Sequence, residues 1–305
     1  MPPLDVDAIT TDTIVQLIAL LAAAILVTTV RLGRRLVNCV VAAQVRAHEE
    51  RQLMKEQSMK ATLTLVLATV LGLGFAALAH GAVTNVVLVH GAFADGSGWK
   101  PVADVLRHDG YTVYVVQQPL TTFEADLAAT RLVLDRSGPC VLVGHSYAGM
   151  IISEVGGHAA VRSLVFVAAF EPEIGETAGG LQGKTPPASN TVVPVGGGFV
   201  QVKPDAFPGD FAADVPKPMA RFMAISQVPI AADIFSAKTT VAAWSQKPSY
   251  AVVAKNDRMI NPDLERFMAD RAKSEAIELA GSHAIFLSHP KEVAALIEKA
   301  AKAAN

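Results

Sequence analysis

The chain has 305 residues, a formal net charge of −2 and a hydrophobic content of 51%. That balance gives no basic footprint for nucleic acid. Two cysteines, Cys39 and Cys140, are too few for a disulfide framework or a thiolate zinc site. No group of histidines and acids has ligand spacing, so neither a metal nor any other cofactor is implied.

Two uncharged apolar runs come first, Thr13 to Val30 and Ala61 to Ala79. Each is close to the roughly 20 residues a membrane-spanning helix needs. Between them, residues 31–60 hold seven Lys/Arg against three Asp/Glu, while the residues before Thr13 carry only acids. The positive-inside rule keeps 31–60 in the cytoplasm and puts everything after Ala79 outside it. The second run also has the form of a secretory signal peptide: Met59-Lys60, an apolar core, then Ala77-Leu78-Ala79 and Ala79-His80-Gly81 with small residues at cleavage positions. The expected division is therefore an extension over 1–58 with a possible membrane helix, a signal peptide or second membrane helix over 59–81, and a globular domain over 82–305. If translation begins at Met59, the extension is an upstream addition to the reading frame. On either reading the globular domain is exported, free or anchored to a membrane by these segments.

From Asn85 the pattern alternates. Strands are expected at Asn85–His90, Tyr111–Val116, Cys140–Val143, Val161–Ala168 and Ser249–Ala254. Helices are expected at Trp99–His108, Phe123–Arg136, Tyr147–Val155, Pro262–Lys273 and Pro290–Ala303, the last two opening with proline in the first turn. Such alternation means a mainly parallel sheet with helices on both faces and a site at the carboxyl ends of its strands. The rhythm breaks over 171–245, a stretch rich in Gly and Pro. Helical spacing returns there only at Asp214–Ile225 and Ile230–Trp244. The segment is too long for an ordinary connection and reads as a small cap over the site.

Gly144-His145-Ser146-Tyr147-Ala148-Gly149 fits G-x-S-x-G between an expected strand and an expected helix. In that context Ser146 sits on a sharp, strained turn with its hydroxyl above the sheet, and side chains at Gly144 or Gly149 would collide at the crossing. The backbone N–H of Tyr147 is then one oxyanion donor. The second comes from the loop after the first strand, His90-Gly91-Ala92-Phe93, with Ala92 expected and Phe93 the next choice. His90 and His145 read as structural histidines. Of eight histidines, His283 is the one in a late polar loop, Gly281-Ser282-His283, after a strand-like stretch and before the last helix. That is where the order nucleophile, acid, base requires the base. His289, beside Pro290, reads as a helix start. The orienting acid is expected at Asp257, directly after the Ser249–Ala254 strand. Asp263 reads as a helix-dipole charge, and Glu171, at the end of the preceding strand, competes with Asp257.

Together, His90 through Trp99 (HGAFADGSGW), Gly144 through Gly149, Asn256-Asp257-Arg258-Met259-Ile260 and Gly281-Ser282-His283-Ala284 resemble the small bacterial serine esterases of the α/β-hydrolase superfamily. Those are similar in turn to plant methyl-ester esterases and hydroxynitrile lyases. The resemblance runs from about Asn85 to the C-terminus. It implies an α/β-hydrolase fold, Ser146 as nucleophile, Asp257 as acid, His283 as base, and backbone donors at Ala92 and Tyr147. The activity implied is hydrolysis of small carboxylic esters through an acyl-enzyme. Two alternatives stay open: a hydroxynitrile-lyase-like reaction on the same triad, and a non-catalytic ligand-binding module. In the related lyases a lysine follows the catalytic histidine and a threonine follows the first strand; here those positions are Ala284 and Gly91. Lys255 and Arg258 read as solvated surface charges.

Overall fold

A computed structural model describes residues 11–78 and 83–304. The chain divides into an N-terminal unit ending at Ala79 and a second unit from His80 onward. In the first, helix α1 runs from Thr11 to Leu78 without a break, through both apolar runs and the charged segment between them. The sequence pointed to two separate helices. Apolar side chains from Ile14 to Val45 are 48–69% exposed, so no polar stripe separates a wet face from a buried one. Within 11–60 this helix is long and apolar enough to cross a membrane. The small residues at Ala79-His80-Gly81, expected to mark cleavage, lie outside the described residues.

The second unit is built on β-branched strands that bury both faces. β1 (Asn85–Val89), β2 (Thr112–Val116), β3 (Cys140–His145), β4 (Val161–Val167), β8 (Ser249–Ala254) and β9 (Glu275–Leu279) form one sheet. The order is β2-β1-β3-β4-β8-β9, and every pairing is parallel. Alternation along each strand assigns the layers. Val87, Leu142 and Phe166 pack with α3 (Phe123–Ser137), α4 (Ala148–Val155) and α8 (Pro262–Ala272). Val86, Leu88, Val143 and Val165 pack with α2 (Lys100–His108), α9 (Ile285–Ser288) and α10 (Pro290–Ala303) on the other face. The strands and helices expected outside the cap are all present, with ends shifted by no more than two residues. The first helix starts at Lys100, after a 3-10 turn over Gly96–Trp99.

The outer strand β9 is tied to both helical layers. Arg266 of α8 grips Glu278 through two bonds of 2.9 Å, and Lys299 of α10 holds Glu275.

The cap differs from its expected form. It holds α5 (Ala178–Lys184), a three-stranded antiparallel sheet of β5 (Val192–Gly196), β6 (Phe199–Val202) and β7 (Ile230–Ala231), then α6 (Phe207–Asp210) and α7 (Lys217–Ile225). The β5–β6 hairpin turns on Gly196, Gly197 and Gly198, whose φ values of 97°, 60° and 83° are left-handed and open to glycine without strain. The helix expected over Ile230–Trp244 is absent. That stretch is β7 followed by 3-10 turns at Ala232–Ser236 and Ala243–Ser245. Its backbone finds partners elsewhere. Glu154 of α4 accepts from the N–H groups of Thr240 and Val241, and Ala231 N donates to Leu120 O at 2.9 Å.

Candidate active site

Connections leave β1 toward β2 on one side and reach β3 on the other, so the loops after β1 and β3 diverge and leave a crevice between them. Ser146 sits on the β3–α4 turn with φ 56°. Such a backbone costs on the order of 1–3 kcal/mol for a non-glycine residue and persists only where the surroundings enforce it. They do: Ser146 N donates to Val167 O, and Ser146 O accepts from Phe170 N, each at 3.2 Å. The flanking glycines allow the close packing. A methyl group at Gly144 would lie 2.8 Å from Ala148 O, and one at Gly149 would overlap Phe170 O. A methyl group at Gly91 would lie 2.8 Å from Ser146 Cβ. The loop after β1 thus rests directly against the serine turn.

His283 Nε2 lies 2.8 Å from Ser146 Oγ, and His283 Nδ1 lies 2.5 Å from Asp257 Oδ2. A carboxylate only accepts, so the pattern assigns the proton to Nδ1 and leaves the Nε2 lone pair for the serine hydroxyl. Asp257 Oδ1 accepts from Met259 N at 2.7 Å and Ile260 N at 2.9 Å, which fixes the carboxylate plane. The acid and base loops are joined, since Asn256 N donates to Gly281 O at 3.0 Å. Asp257 and His283 are buried, and Ser146 is only 7% exposed.

Glu171 and Asp263 stand elsewhere. Glu171 Oε1 accepts from Ser274 Oγ at 2.5 Å; burial pushes its carboxyl up to about 8. Asp263 is exposed in the first turn of α8, paired with Arg266 at 2.7 Å. Glu265, which the sequence did not single out, is buried behind the acid loop. Its Oε2 accepts from Ala254 N at 3.0 Å. Burial and the nearby Asp257 charge raise its pKa well above the usual carboxyl range.

The other histidines near the site brace it. His90 Nε2 accepts from Gln118 N at 3.0 Å, so Nδ1 carries the proton and donates to Gly91 O at 2.9 Å. His145 is fully buried, donates from Nε2 to His283 O at 3.0 Å and packs its ring 4.7 Å from that of His283. Burial lowers the pKa of His90 and of His145. Tyr147 donates its hydroxyl to Asp126 Oδ2 at 2.9 Å, and Asp126 Oδ1 accepts from Leu120 N. Ala92 and Tyr147 line the cavity over the serine, and their backbone N–H groups have no protein acceptor among the described residues.

A cavity of about 350 Å³ opens over Ser146 and His283. Phe93, Phe170, Phe235, Met259 and Ile260 give it apolar walls, while Gln182, Ser189 and Asn190 of the cap supply polar groups. No lysine or arginine lines it. Arg258 is not simply solvated: its Nε donates to Asp210 Oδ1 at 2.8 Å, and Asp210 Oδ2 accepts from Ser189 and Thr191. The cap also grips the base loop. Asp214 accepts from the N–H and hydroxyl of Ser282, Ala284 N donates to Phe211 O at 2.9 Å, and the Phe211 ring meets His283 edge-on at 4.8 Å. Sequence spacing put Asp214 at the start of a helix, but α7 begins at Lys217, which leaves Phe211 and Asp214 in irregular backbone; nothing in the sequence marked either as a partner of the base loop. Among the described residues no three His, Cys, Asp or Glu side chains converge as a metal site.

Comparison with known proteins places the fold. The sequence profile described as "Alpha/beta hydrolase family" matches residues 86–296. A carbendazim-hydrolyzing esterase of Nocardioides sp. (strain SG-4G) is 32% identical over 128 residues; the match covers 37% of this chain and 53% of that protein, about half its length. Among solved structures, a pyrethroid hydrolase from Sphingobium faniae JZ-2 superposes with a TM-score of 0.61 at 22% identity, covering 72% of this chain and 98% of that one. A methylesterase from Arabidopsis gives a TM-score of 0.59 at 17% identity, covering 72% and 98%. At those identities the likeness is one of fold.

Proposed function

Because this chain belongs to the alpha/beta hydrolase family, we propose that it is a serine esterase that cleaves small carboxylic esters through an acyl-enzyme. The observation that carries the reading is the unbroken chain from Ser146 Oγ through the His283 ring to Asp257, beneath a cavity bordered by two unengaged N–H groups. Ser146 Oγ attacks the ester carbonyl carbon while its proton passes to His283 Nε2. Asp257 holds the imidazole in the required tautomer and balances the imidazolium. The carbonyl oxygen gains negative charge and accepts hydrogen bonds from the Ala92 and Tyr147 N–H groups, which are fixed donors. One such donor contributes about 2.7–4 kcal/mol to the transition state. His283 then protonates the departing alcohol, and water enters by the same route in reverse to release the acid.

The apolar walls favour esters with apolar arms. The second apolar run, Ala61 to Ala79, coming after the cationic segment 31–60, supports a hydrolase unit held outside the cytoplasm, anchored or released. The deciding experiment is rapid mixing of the full chain with a short nitrophenyl ester. A burst of nitrophenol stoichiometric with enzyme is expected, and Ser146→Ala should abolish it while leaving the fold intact. A Ser146→Ala protein that still turns over would remove the serine from its role.

A further inference from the structure

Helix α7 faces the wrong way for a cap helix in water. At about 100° per residue, Ala220 and Ala224 point inward and are buried. The opposite side carries Pro218, Phe222 and Ile225, with Met219 beside them. Met219, Phe222 and Ile225 are 50%, 61% and 78% exposed. A surface helix ordinarily turns its charged side outward, and contiguous exposed apolar groups mark a contact surface. Lys217 and Arg221 flank the apolar crown, and the helix itself holds no acid; Asp205 and Asp95 lie on the rims of the neighbouring grooves.

A groove of about 530 Å³ runs beside this crown, walled by Met219, Phe222, Met223, Phe286 and Leu287 and reaching Phe93. Phe93 also walls the cavity over Ser146. Lining both, it stands between groove and site.

We propose that α7 docks the hydrolase unit on an anionic lipid bilayer, with Met219, Phe222 and Ile225 entering the acyl boundary and the adjacent groove passing lipid-dissolved esters toward Phe93 and Ser146. An apolar face edged by cations is what binds such a surface. A second copy of this chain fits less well. A two-fold contact through the crown would set Lys217 and Arg221 against their own counterparts. The chain also carries its own membrane-length helix. The substrate half of the proposal rests on the esterase reading; the docking half does not.

The test uses the full chain reconstituted in phosphatidylcholine vesicles containing phosphatidylglycerol. With acyl-brominated lipid, Phe222→Trp should show quenched emission beyond the background of Trp99 and Trp244. The triple variant Met219→Ser, Phe222→Ser, Ile225→Ser should lose roughly tenfold or more on a long-chain ester dissolved in the bilayer, because three apolar side chains no longer insert. Its rate on a short soluble ester should stay within about twofold, since none of the three touches the reacting atoms. Unquenched Phe222→Trp emission overturns docking. So does concentration-dependent pairing of the protein that the triple variant abolishes. Equal losses on both esters overturn the passage role of the groove. If the unmodified chain cleaves neither ester, the esterase reading fails, and the quenching result alone decides docking.

Discussion

Asp214 of the cap holds Ser282 twice: its Oδ2 accepts the backbone N–H at 3.1 Å, and its Oδ1 accepts the hydroxyl. Ser282 immediately precedes His283, so the direction of the imidazole depends on a residue far from it in sequence. The hydrogen bonds from Ser282 hold the Asp214 carboxyl below the usual range against the effect of its partial burial. Asp214→Ala should lower kcat for a short ester by roughly fivefold, about the effect of one charged hydrogen bond discounted for solvent access. KM should change little, because Asp214 does not line the cavity. Asp214→Asn still accepts from Ser282 and should recover most of the rate. Equal effects of the two substitutions would show that the side chain only fills space.

The identity of the acid can be separated from burial alone. Asp257→Asn should cost about 10²–10⁴ in kcat by leaving the imidazole in the wrong tautomer. Glu171→Gln should stay within about threefold, since its partner is Ser274 rather than His283. A reversal of those two results, read from nitrophenyl ester hydrolysis, would move the acid to the end of β4.

Stability of the hydrolase unit should fall with pH on the alkaline side. Glu171 is held neutral by burial up to about 8, and burial also raises Glu265 and Asp126. Unfolded carboxyls titrate near pH ~4, so above that the unfolded chain binds fewer protons at these sites than the folded one. Their contribution is complete below the unfolded value and is lost as pH rises through the folded one. His90 and His145 act oppositely, because burial lowers them, but their effect ends once the unfolded rings deprotonate, near pH ~6.5. Between pH ~7 and ~8.5 the carboxyls dominate, and the melting temperature should drop by a few degrees. Glu171→Gln should flatten that drop. A melting temperature that climbs through this interval in both proteins would contradict the account.

The chain should not release cyanide from mandelonitrile. The residue after His283 is Ala284, fully buried, and the cavity lining holds no lysine or arginine to stabilise a departing anion. Arg258 is already bonded to Asp210. A colorimetric cyanide assay should read background while nitrophenyl ester is turned over; rapid cyanide release would reassign the chemistry.

Much of this was readable beforehand, for a physical reason. The strands β1, β3, β4 and β8 are buried on both faces, so their β-branched runs are nearly uninterrupted, and the glycines at 91, 144 and 149 mark backbone approaches that no other residue allows. Chain order then isolated His283. The cap was less legible. Pro194 interrupts the alternation of Val192, Val193 and Val195, hiding β5. Ile230, Ala231, Ile234 and Phe235 imitate helical spacing, yet their neighbours' N–H groups are taken by Glu154, a carboxylate 86 residues away in sequence. The Asp214–Ser282 clamp is likewise a long-range contact, and the helical spacing that begins at Asp214 gives no hint of it. Arg258 looked solvated because its partner, Asp210, sits in that same cap.

The sheet's last strand has a further consequence. β9 leaves one side unpaired, which in an open sheet is a template for a strand from another molecule. Glu275 and Glu278 point to opposite faces and are each claimed by a helix, one through Lys299 and one through Arg266. An incoming strand would have to settle beside two anchored carboxylates and their cations, and strip water from them. The same charges that fasten β9 to its layers therefore keep crowded copies of this hydrolase from growing edge to edge into aggregates.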